Sequence, residues 1–364
     1  MRQQLPYGTG CINWKESRRG MEKWFDIPEQ DDSSVICTRV RFARNWREYP
    51  FPGKMTAKQS EELVDRLCRI FKDEPTDRLP ASEFSYLNRM SELDKAALRE
   101  RWALTKSAAS GEMSAGLFIT GDEKFSILIN GDDHIRIQAV EKGLSMEECF
   151  SRVNAADDTI AERIEYSFDE KYGYLASYPT NVGTGLRASV LMHLPCLSRR
   201  KDFNSLTAEM GRFGTRIRGI YGEGAENFGS LYQVSNQRTL GQTETEITDL
   251  VVKAAKELDA QERRLRKEAL SKRPVAYADE VYKSYGVLRY ARRLTRRDAL
   301  EFLSHVLPGF RDGIVETKEP CSVYALMLGI QSANLLKNSG HPLNKEELDI
   351  ARADFVRARL PEIK

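Results

Sequence analysis

The sequence predicts an α+β protein in which helices flank an antiparallel sheet, with a further, helical region at the C-terminal end. Three observations support this prediction. Short β-rich runs cluster in the middle of the chain, amphipathic patterns typical of helices lie on both sides of them, and the sequence after residue 271 reads almost wholly helical. Strands that follow one another, without helices alternating between them, favour antiparallel pairing over βαβ units. A chain of 364 residues has room for about two domains.

The elements can be placed from the spacing of apolar residues. Residues 57–73 carry Leu63, Leu67 and Phe71 at the spacing of a helix that lies on a core. Two β-rich runs, joined by a Gly-Asp-Glu-Lys turn, predict a hairpin of 116–120 with 125–130 that leads into 134–137. Further strands are expected at 174–178, 215–221 and 230–235, and further helices at 146–165, 186–196 and 244–270.

Glycine and proline divide the C-terminal part of the chain. The Ser-Lys-Arg-Pro run at 271–274 predicts the start of a separate helical unit, and Ser-Gly-His-Pro at 339–342 predicts a break between two of its helices. We therefore expect an N-terminal arm over 1–30, a domain that contains the sheet over 31–270 and a helical domain over 271–364.

Composition excludes several classes of function. Lys and Arg total 56 against 54 Asp and Glu, so the net charge of +2 indicates neither a nucleic-acid nor a membrane partner. No segment approaches the ~20 apolar residues of a membrane span, and the first residues lack the pattern of a signal peptide, which favours a cytoplasmic protein. The six cysteines are scattered and the four histidines lack ligand spacing, so we expect no metal held by protein ligands alone.

Arginines in strand-like segments and glycine-rich turns are the main functional signal. Alternation along residues 37–44 puts Arg39 and Arg41 on one face of an extended segment, with Arg44 nearby. Arg136 lies on a predicted strand and Arg218 precedes a glycine-rich turn. Arg187 falls at the start of the helix predicted over 186–196, where free N–H groups favour phosphate. Each arginine alone could be a surface charge or an ion-pair partner. Together they predict an anion site, because guanidinium forks bind phosphate bidentately.

The chain has no P-loop and no dinucleotide GxGxxG motif, so a bound nucleotide would depend on arginines for its phosphates. Carboxylates are the second requirement if a guanidinium is to accept phosphate, since it must be aligned and deprotonated. Asp132 with Asp133 and, separately, Glu223 qualify; turn, cap and loop roles are equally compatible with their spacing. His134 alone is more typical of a structural histidine.

Five segments of the sequence resemble the signature segments of phosphagen kinases, and most closely those of the bacterial protein arginine kinase family. They are, in order, CTRVRFARN, NGDDHIRIQ, YPTNVGTGLRASVLMHLP, RGIYGEG and VSNQRTLG. The resemblance is strong over 33–240 and weaker through the C-terminal helices. It implies an antiparallel sheet flanked by helices, ATP with Mg²⁺ as phosphoryl donor, and arginine side chains of proteins as acceptors. No separate small N-terminal domain of the creatine kinase type is expected.

The resemblance also implies roles for individual residues and for the protein. Glu223 and Asp132 would be catalytic. The ATP-binding residues would be Cys37, Thr38, Arg39, Val40, Arg41, Arg136, Arg187, Ala188, Ser189, Val190, Leu191, Arg218, Gly219, Ile220, Tyr221 and Gly222. The C-terminal domain would serve dimerisation and phosphoarginine sensing. The cellular setting would be stress response, with a zinc-binding activator and a Clp-type chaperone and protease as partners.

Four positions depart from the family pattern. Asp132 replaces a glutamate, and because its side chain is one methylene shorter, the carboxylate would lie about 1.5 Å nearer to the backbone. Tyr178 replaces a cysteine whose thiolate helps to hold the guanidinium, and a neutral phenol cannot supply that charge. Trp102 stands where a nucleotide-contacting histidine is expected, and Leu348 replaces the first arginine of the phosphoarginine-sensing pattern.

Three functions remain open on the sequence. The first is an active protein arginine kinase, which the complete set of arginines favours. The second is a nucleotide-binding pseudokinase that regulates or adapts a chaperone or protease, which the substitutions at Asp132 and Tyr178 favour. The third is a kinase for small guanidino compounds, which the expected lack of an N-terminal domain disfavours.

Overall fold

The computed structural model describes residues 21–28, 32–73, 78–221 and 227–364. Ten strands lie within these ranges. They are β1 Val35–Arg44, β2 Glu83–Tyr86, β3 Gly116–Ile119, β4 Phe125–Ile129, β5 Ile135–Lys142, β6 Phe168–Asp169, β7 Gly173–Tyr174, β8 Leu186–His193, β9 Thr215–Gly219 and β10 Leu231–Asn236.

Helices lie between these strands and after them. They are α1 Ala57–Asp73, α2 Glu92–Glu100, α3 Lys106–Ser110, α4 Met146–Ala161, α5 Pro195–Ser198, α6 Phe203–Arg212, α7 Glu244–Lys272, α8 Pro274–Tyr290, α9 Arg296–Arg311, α10 Val323–Gly329, α11 Ser332–Ser339 and α12 Lys345–Arg359. Among the described residues, no helix combines the length and the apolar character needed to cross a bilayer.

Eight strands form one sheet in the order β2-β3-β4-β5-β1-β8-β10-β9, and every neighbouring pair is antiparallel. The long strand β1 lies in the centre, between β5 and β8. The predicted α+β class with an antiparallel sheet is therefore confirmed.

The two faces of this sheet differ in chemistry because side chains alternate along each strand. On β1, Thr38, Val40, Phe42 and Arg44 point to one face, which packs against helices. That face forms the main core, in which Val40 and Phe42 are buried with residues of α1, α4 and α7. The other face carries Arg39 and Arg41, and we call it the arginine face.

Two groups of helices cover the arginine face only in part. Near one edge, α2 and α3 pack on Leu117 of β3 and Leu128 of β4. At the start of β1, the C-terminal helices pack on Cys37, with Leu191 of β8 in the same cluster. A cleft remains between the two groups, and the arginines lie in it.

Most predicted elements are confirmed. The helix over 57–73 matches α1, the hairpin matches β3 with β4, and the helices at 146–165 and 244–270 match α4 and α7 within a few residues. The break at 339–342 is also confirmed, since α11 ends at Ser339 and Gly340 adopts a left-handed conformation with φ 72°.

Two predicted elements are wrong. The helix predicted over 186–196 is replaced by strand β8, Leu186–His193, and the helical residues that follow it are only the four of α5, Pro195–Ser198. The apolar run of β8 is buried between β1 and β10. Hydrophobic periodicity does not tell whether such a continuous apolar run forms a buried strand or a buried helix. The strand at 174–178 is reduced to the two residues of β7, because Ser177 N–H bonds to the Asp133 carboxylate instead of to a neighbouring strand.

Candidate active site

Six arginines come together on the arginine face. Arg41 is directly opposite Arg187 on β8, and Arg39 is two residues away on the same side of β1. Arg136 on β5 is opposite Ala43, which is on the same side of β1 as Arg41. The cross-strand register therefore turns guanidinium groups that are far apart in the sequence toward one cleft. We call Arg39, Arg41, Arg136, Arg187, Arg216 and Arg218 the arginine cluster.

Arg41 lies at the centre of this cluster. Its Nε is buried without a hydrogen-bond partner among the described residues. Burial holds the pKa of Arg41 well below its usual range, and the charges of Arg39, Arg136 and Arg187 lower it further, while Asp132 opposes them. Positive charge in this position therefore lowers the stability of the folded protein, and a bound anion would offset this loss of stability.

Arg39 and Arg136 are held by groups that carry no negative charge. Arg39 donates to Gln233 Oε1 at 3.3 Å and lies under the Trp102 ring, 4.6 Å from its centroid. Arg136 donates to the carbonyl oxygen of Ala103 at 3.0 Å. Burial lowers the pKa of each guanidinium to about 10, and the Nε atoms of both are buried without a partner in the described chain. Their remaining donors are free to take phosphate oxygens.

Strand β9 brings two more arginines to the cluster. Arg216 and Arg218 alternate on β9, so they share one face, and Arg218 is opposite Gln233 on β10. Burial, followed by the charges of Arg216 and Arg218, lowers the pKa of Arg187. The sequence reasoning missed Arg216, although the predicted strand over 215–221 and its two-residue period contain the signal for it.

The cleft beside the cluster is lined by arginines and by polar groups from three loops. Asp132 is half-buried there and accepts a hydrogen bond from Ser107 Oγ at 2.5 Å. Tyr178 is 53% exposed at the same cleft. The full lining consists of Arg41, Phe42, Ala43, Thr105, Asp132, Asp133, Arg136, Tyr178, Thr180, Asn181, Gly185 and Arg187. Asp132 thus provides a carboxylate next to the arginine cluster.

Three polar residues of the signature segments have structural roles. Asp133 accepts hydrogen bonds from Asn45 Nδ2 at 2.8 Å and Ser177 N at 2.7 Å, so it fixes the loop before β8. His134 accepts from Trp46 N through Nδ1 and contacts the Pro50 carbonyl oxygen through Nε2 at 2.9 Å. It is the structural histidine that the sequence favours. Arg44 is buried in an ion pair with Asp157, 2.7 Å apart, and so lies outside the cluster.

The other predicted ATP-binding residues lie in three places. The side chains of Thr38, Val40, Ala188 and Val190 face the helix-covered side of the sheet, away from the cleft. Cys37 and Leu191 are buried under the C-terminal helices, and Ser189 lies between them and the cluster with its hydroxyl donating to the Arg39 carbonyl oxygen. Gly219, Ile220 and Tyr221 follow Arg218. Gly222 and Glu223 lie outside the described residues.

Arg187 occupies a different local structure from the predicted one. Its predicted phosphate site used the free N–H groups of a helix start, but the residue lies within β8 and its main chain is paired with β1. Any contribution to anion binding must therefore come from its side chain. The cleft as a whole can neutralise a polyphosphate with guanidinium groups and hold a cation with Asp132.

Two family models match the chain. The ATP:guanido phosphotransferase C-terminal catalytic domain matches residues 62–265, and the protein-arginine kinase McsB C-terminal domain matches residues 274–364. Together they cover most of the chain on both sides of the α7–α8 junction.

Curated relatives match over nearly the whole length. A protein-arginine kinase of Clostridium novyi (strain NT) is 35% identical over 344 residues, which is 94% of this chain and 100% of the relative. A protein-arginine kinase of Brevibacillus brevis is 35% identical over 337 residues, 93% of this chain and 94% of the relative.

Solved structures share the fold. The match to the crystal structure of lombricine kinase has a TM-score of 0.56 at 24% identity. It covers 69% of this chain and 72% of the lombricine kinase chain. A second match is to the duplicated taurocyamine kinase from Schistosoma mansoni with bound transition state analog components. It has a TM-score of 0.59 at 23% identity and covers 77% of this chain and 42% of the taurocyamine kinase chain. The antiparallel sheet with flanking helices is thus the architecture of phosphagen kinases.

Proposed function

The chain belongs to the protein-arginine kinase family, which transfers phosphate from ATP to arginine side chains of proteins, and we propose that the arginine cluster and Asp132 are where it does so. The observation that supports this site is the convergence of the cluster on one face of the sheet, where Arg41, Arg136 and Arg187 line the cleft and buried guanidinium donors have no partner in the described chain. In the reaction the bond from the γ-phosphorus to the bridging oxygen breaks and a phosphorus–nitrogen bond forms. The acceptor guanidinium loses one proton to a carboxylate, and ADP leaves.

ATP would place its phosphates against Arg41, Arg136 and Arg187 at the floor of the cleft, with Arg39 and Arg218 toward β10. The fit is chemical, because a triphosphate brings the negative charge that this part of the protein lacks. Mg²⁺, bound through the phosphate oxygens, would add charge neutralisation. These side chains would hold the transferring group in line and stabilise the charge that develops on its oxygens.

Asp132 would hold and orient the acceptor guanidinium beside the arginine-bound phosphate. Its position is maintained by Ser107 and by the electrostatic attraction of Arg41 and Arg136. Glu223, outside the described residues, is proposed as the second carboxylate on the family resemblance. Tyr178 would border the acceptor where it enters the cleft.

Mass spectrometry for phosphoarginine tests this proposal. The chain is incubated with Mg·ATP and a denatured, arginine-rich protein, beside Glu223→Ala, Asp132→Asn and the exposed-site control Glu92→Ala. Phosphoarginine that is lost in the first two variants and kept in the control supports the assignment. Tight ATP binding without product in the unsubstituted chain would support the nucleotide-binding pseudokinase instead.

We also propose that residues 271–364 act as a unit that pairs two copies of the chain. The sequence break lies where α7 ends at Lys272 and α8 begins at Pro274. Helix α8 exposes an apolar stripe along one side, with Val275 81%, Tyr282 48% and Tyr290 77% exposed. Gly286, on the same side, has open space where a Cβ would be, so a second helix could approach closely.

Sedimentation velocity tests the pairing. Tyr290→Glu combined with Val275→Glu should shift the mass from twice the chain's 41.5 kDa to the mass of one chain. Tyr172→Glu, an exposed tyrosine outside the stripe, is the matched control. A dimer that survives the double substitution would show that α8 is not the contact.

The segment that resembles the phosphoarginine sensor is proposed to serve packing in this chain. Arg352 is only 2% exposed and donates to the carbonyl oxygens of Leu294 at 2.9 Å and Ile330 at 3.0 Å, as well as to Asp349. Leu348 packs against the C-terminal core. Calorimetric titration with free phosphoarginine should show no binding outside the catalytic cleft, and saturable binding that Arg352→Lys removes would contradict this.

The cellular role follows from the family resemblance. We propose a cytoplasmic role in the stress response, in which phosphorylated proteins pass to a Clp-type protease and a zinc-binding activator raises the activity. Co-purification of tagged chain with such partners from stressed cells, compared with the Asp132→Asn variant, tests this role.

A further inference from the structure

Trp102 has a backbone conformation that is unusual for a large side chain. Its φ is 69°, in the left-handed region, just after the end of α2. Ala103 N donates to Leu98 O at 2.9 Å, which closes the helix end in the pattern that glycine usually completes. A tryptophan at such a position is strained, and strain of this kind is kept where the side chain or the turn has a task.

The inner side of this turn holds the arginine cluster. The Trp102 ring covers the Arg39 guanidinium at 4.6 Å. The Trp102 carbonyl oxygen accepts from Gln138 Nε2 at 3.2 Å, and the Ala103 carbonyl oxygen accepts from Arg136 at 3.0 Å. Two arginines of the cluster thus depend on this turn for their orientation.

The outer side of the same turn is fixed by helix α11. The Glu100 carboxylate accepts from Ala333 N at 3.0 Å and from both the backbone N and the Nδ2 of Asn334 at 2.9 Å. Arg101 donates to Asn334 Oδ1 at 2.8 Å. The N-cap residue of α11, Gln331, makes no side-chain cap, so the carboxylate from α2 satisfies these N–H groups in its place.

We propose that the turn over 100–103 transmits the position of α11 to the phosphate-binding arginines, with Glu100, Trp102 and Asn334 as positioning residues. A shift of α11 would move the Glu100 and Arg101 anchors, and with them the ring over Arg39 and the carbonyl that orients Arg136. The C-terminal helices would then control nucleotide affinity without contacting the nucleotide. The inference rests on the proposed function in one respect, which is that Arg39 and Arg136 bind ATP phosphates.

The test measures the affinity of the full chain for Mg²⁺ with a non-hydrolysable ATP analogue, together with KM for ATP and kcat. Asn334→Ala should weaken binding and raise KM for ATP about fivefold with kcat little changed, because it loosens only the orientation of the arginines. Asn338→Ala, an exposed asparagine on the same helix, is the matched control and should bind like the unsubstituted chain.

Two substitutions of Trp102 separate positioning from packing. Trp102→Phe keeps an aromatic face for Arg39 and should bind the analogue within about twofold, whereas Trp102→Leu keeps apolar bulk only and should lose about tenfold. The double variant Asn334→Ala with Trp102→Leu should bind no more weakly than Trp102→Leu alone, since both act through one turn.

Equal binding by Asn334→Ala and Asn338→Ala, or additive losses in the double variant, would overturn the inference while leaving the proposed function intact. If the unsubstituted chain itself fails to bind the analogue, the proposed function fails and the inference fails with it. Should Trp102→Leu not fold, the comparison of Asn334→Ala with Asn338→Ala still decides.

Discussion

Arg41 combines a proposed role in phosphate binding with an electrostatic cost to the stability of the fold. It lies opposite Arg187 and close to Arg39 and Arg136, and among the described residues Asp132 is a carboxylate that offsets these charges electrostatically. Like charges brought together with little water destabilise the fold until an anion binds. A bound polyphosphate, as proposed above, would therefore offset the electrostatic cost of the arginine cluster.

Replacing Arg41 by methionine should separate these two effects. We expect Arg41→Met to raise the free energy of unfolding without nucleotide by about 1 kcal/mol, because an unpaired buried charge is removed. Phosphoarginine formation should fall at least about 100-fold, because a donor to the transferring phosphate is lost. Urea denaturation and a phosphoarginine assay measure the two quantities.

Arg47→Met is the control, since Arg47 is exposed and paired with Glu165 at the surface. It should leave both quantities nearly unchanged. A less stable Arg41→Met protein would mean that the Arg41 guanidinium supports the fold through contacts beyond those described.

Tyr178 is the departure from the family that borders the proposed entrance of the acceptor to the cleft. Restoring the family residue with Tyr178→Cys should raise kcat/KM for a protein arginine several-fold, because a thiolate attracts the acceptor guanidinium. Tyr172→Cys, also an exposed tyrosine but outside the cleft, is the control. An unchanged or lower kcat/KM would contradict the prediction that a thiolate at position 178 improves binding of the acceptor guanidinium.

At the scale of elements, the loop between β7 and β8 decides the shape of the cleft. It carries Tyr178, Thr180 and Asn181, and Thr239 fixes it from behind by donating to the Val182 carbonyl oxygen at 2.6 Å. Gly183 lies in this loop with φ 114°, and an added Cβ would come within 2.4 Å of the Thr239 carbonyl oxygen. Only glycine fits such close backbone packing.

Gly183→Ala should therefore destabilise the protein strongly, by about 3 kcal/mol or more, because both the conformation and the space are unfavourable. Gly143→Ala is a matched control, since Gly143 also has a positive φ, 68°, but nothing within 4 Å of the added Cβ. It should cost only about 1–2 kcal/mol, the penalty of the left-handed conformation. Chemical denaturation of both variants compares them, and equal losses would refute the crowding argument.

At the scale of the whole molecule, the C-terminal helices pack directly on the sheet that carries the arginine cluster. They cover Cys37 and Leu191 on the arginine face, and His193 of β8 bonds to Ser304 Oγ of α9 through Nε2 at 2.8 Å. The Nδ1 atom of His193 is buried without a partner in the described chain. Stability of the sheet and of the C-terminal helices is therefore linked through a buried neutral imidazole.

This histidine predicts a dependence of stability on pH. Burial, followed by the charges of Arg311 and Arg266, holds the pKa of His193 well below its usual value. The unfolded chain then binds more protons than the folded one at acid pH. Stability should decline as pH falls below the unfolded value of about 6.5, by up to about 1.4 kcal/mol per pH unit for one group.

Urea midpoints between pH 7.5 and 5.0 measure this effect. His193→Gln should give a shallower decline than the unsubstituted chain, whereas His341→Gln, at an exposed histidine, should leave the slope unchanged. His134 and His305, whose pKa values burial also lowers, contribute to the decline that remains. Identical slopes for His193→Gln and the unsubstituted chain would contradict this account.

Much of the fold was predictable from local signals. The two-residue period along β1 was enough to put Arg39 and Arg41 on one face, and glycine and proline marked the helix ends near 271 and 340 correctly. The α+β class followed from the order of elements. The set of arginines that would meet was nearly complete, because each lay in a distinctive segment.

The sequence by itself determined which side chains could form the site and which of them share a face of one strand. This is because strand alternation and turn preferences depend on near neighbours in the chain. Only the tertiary structure decided that 186–193 is a strand and that Arg44 pairs with Asp157. It also decided that Trp102 covers Arg39 beside α11. These outcomes depend on packing between segments distant in sequence, where burial and register, rather than local propensity, select the conformation.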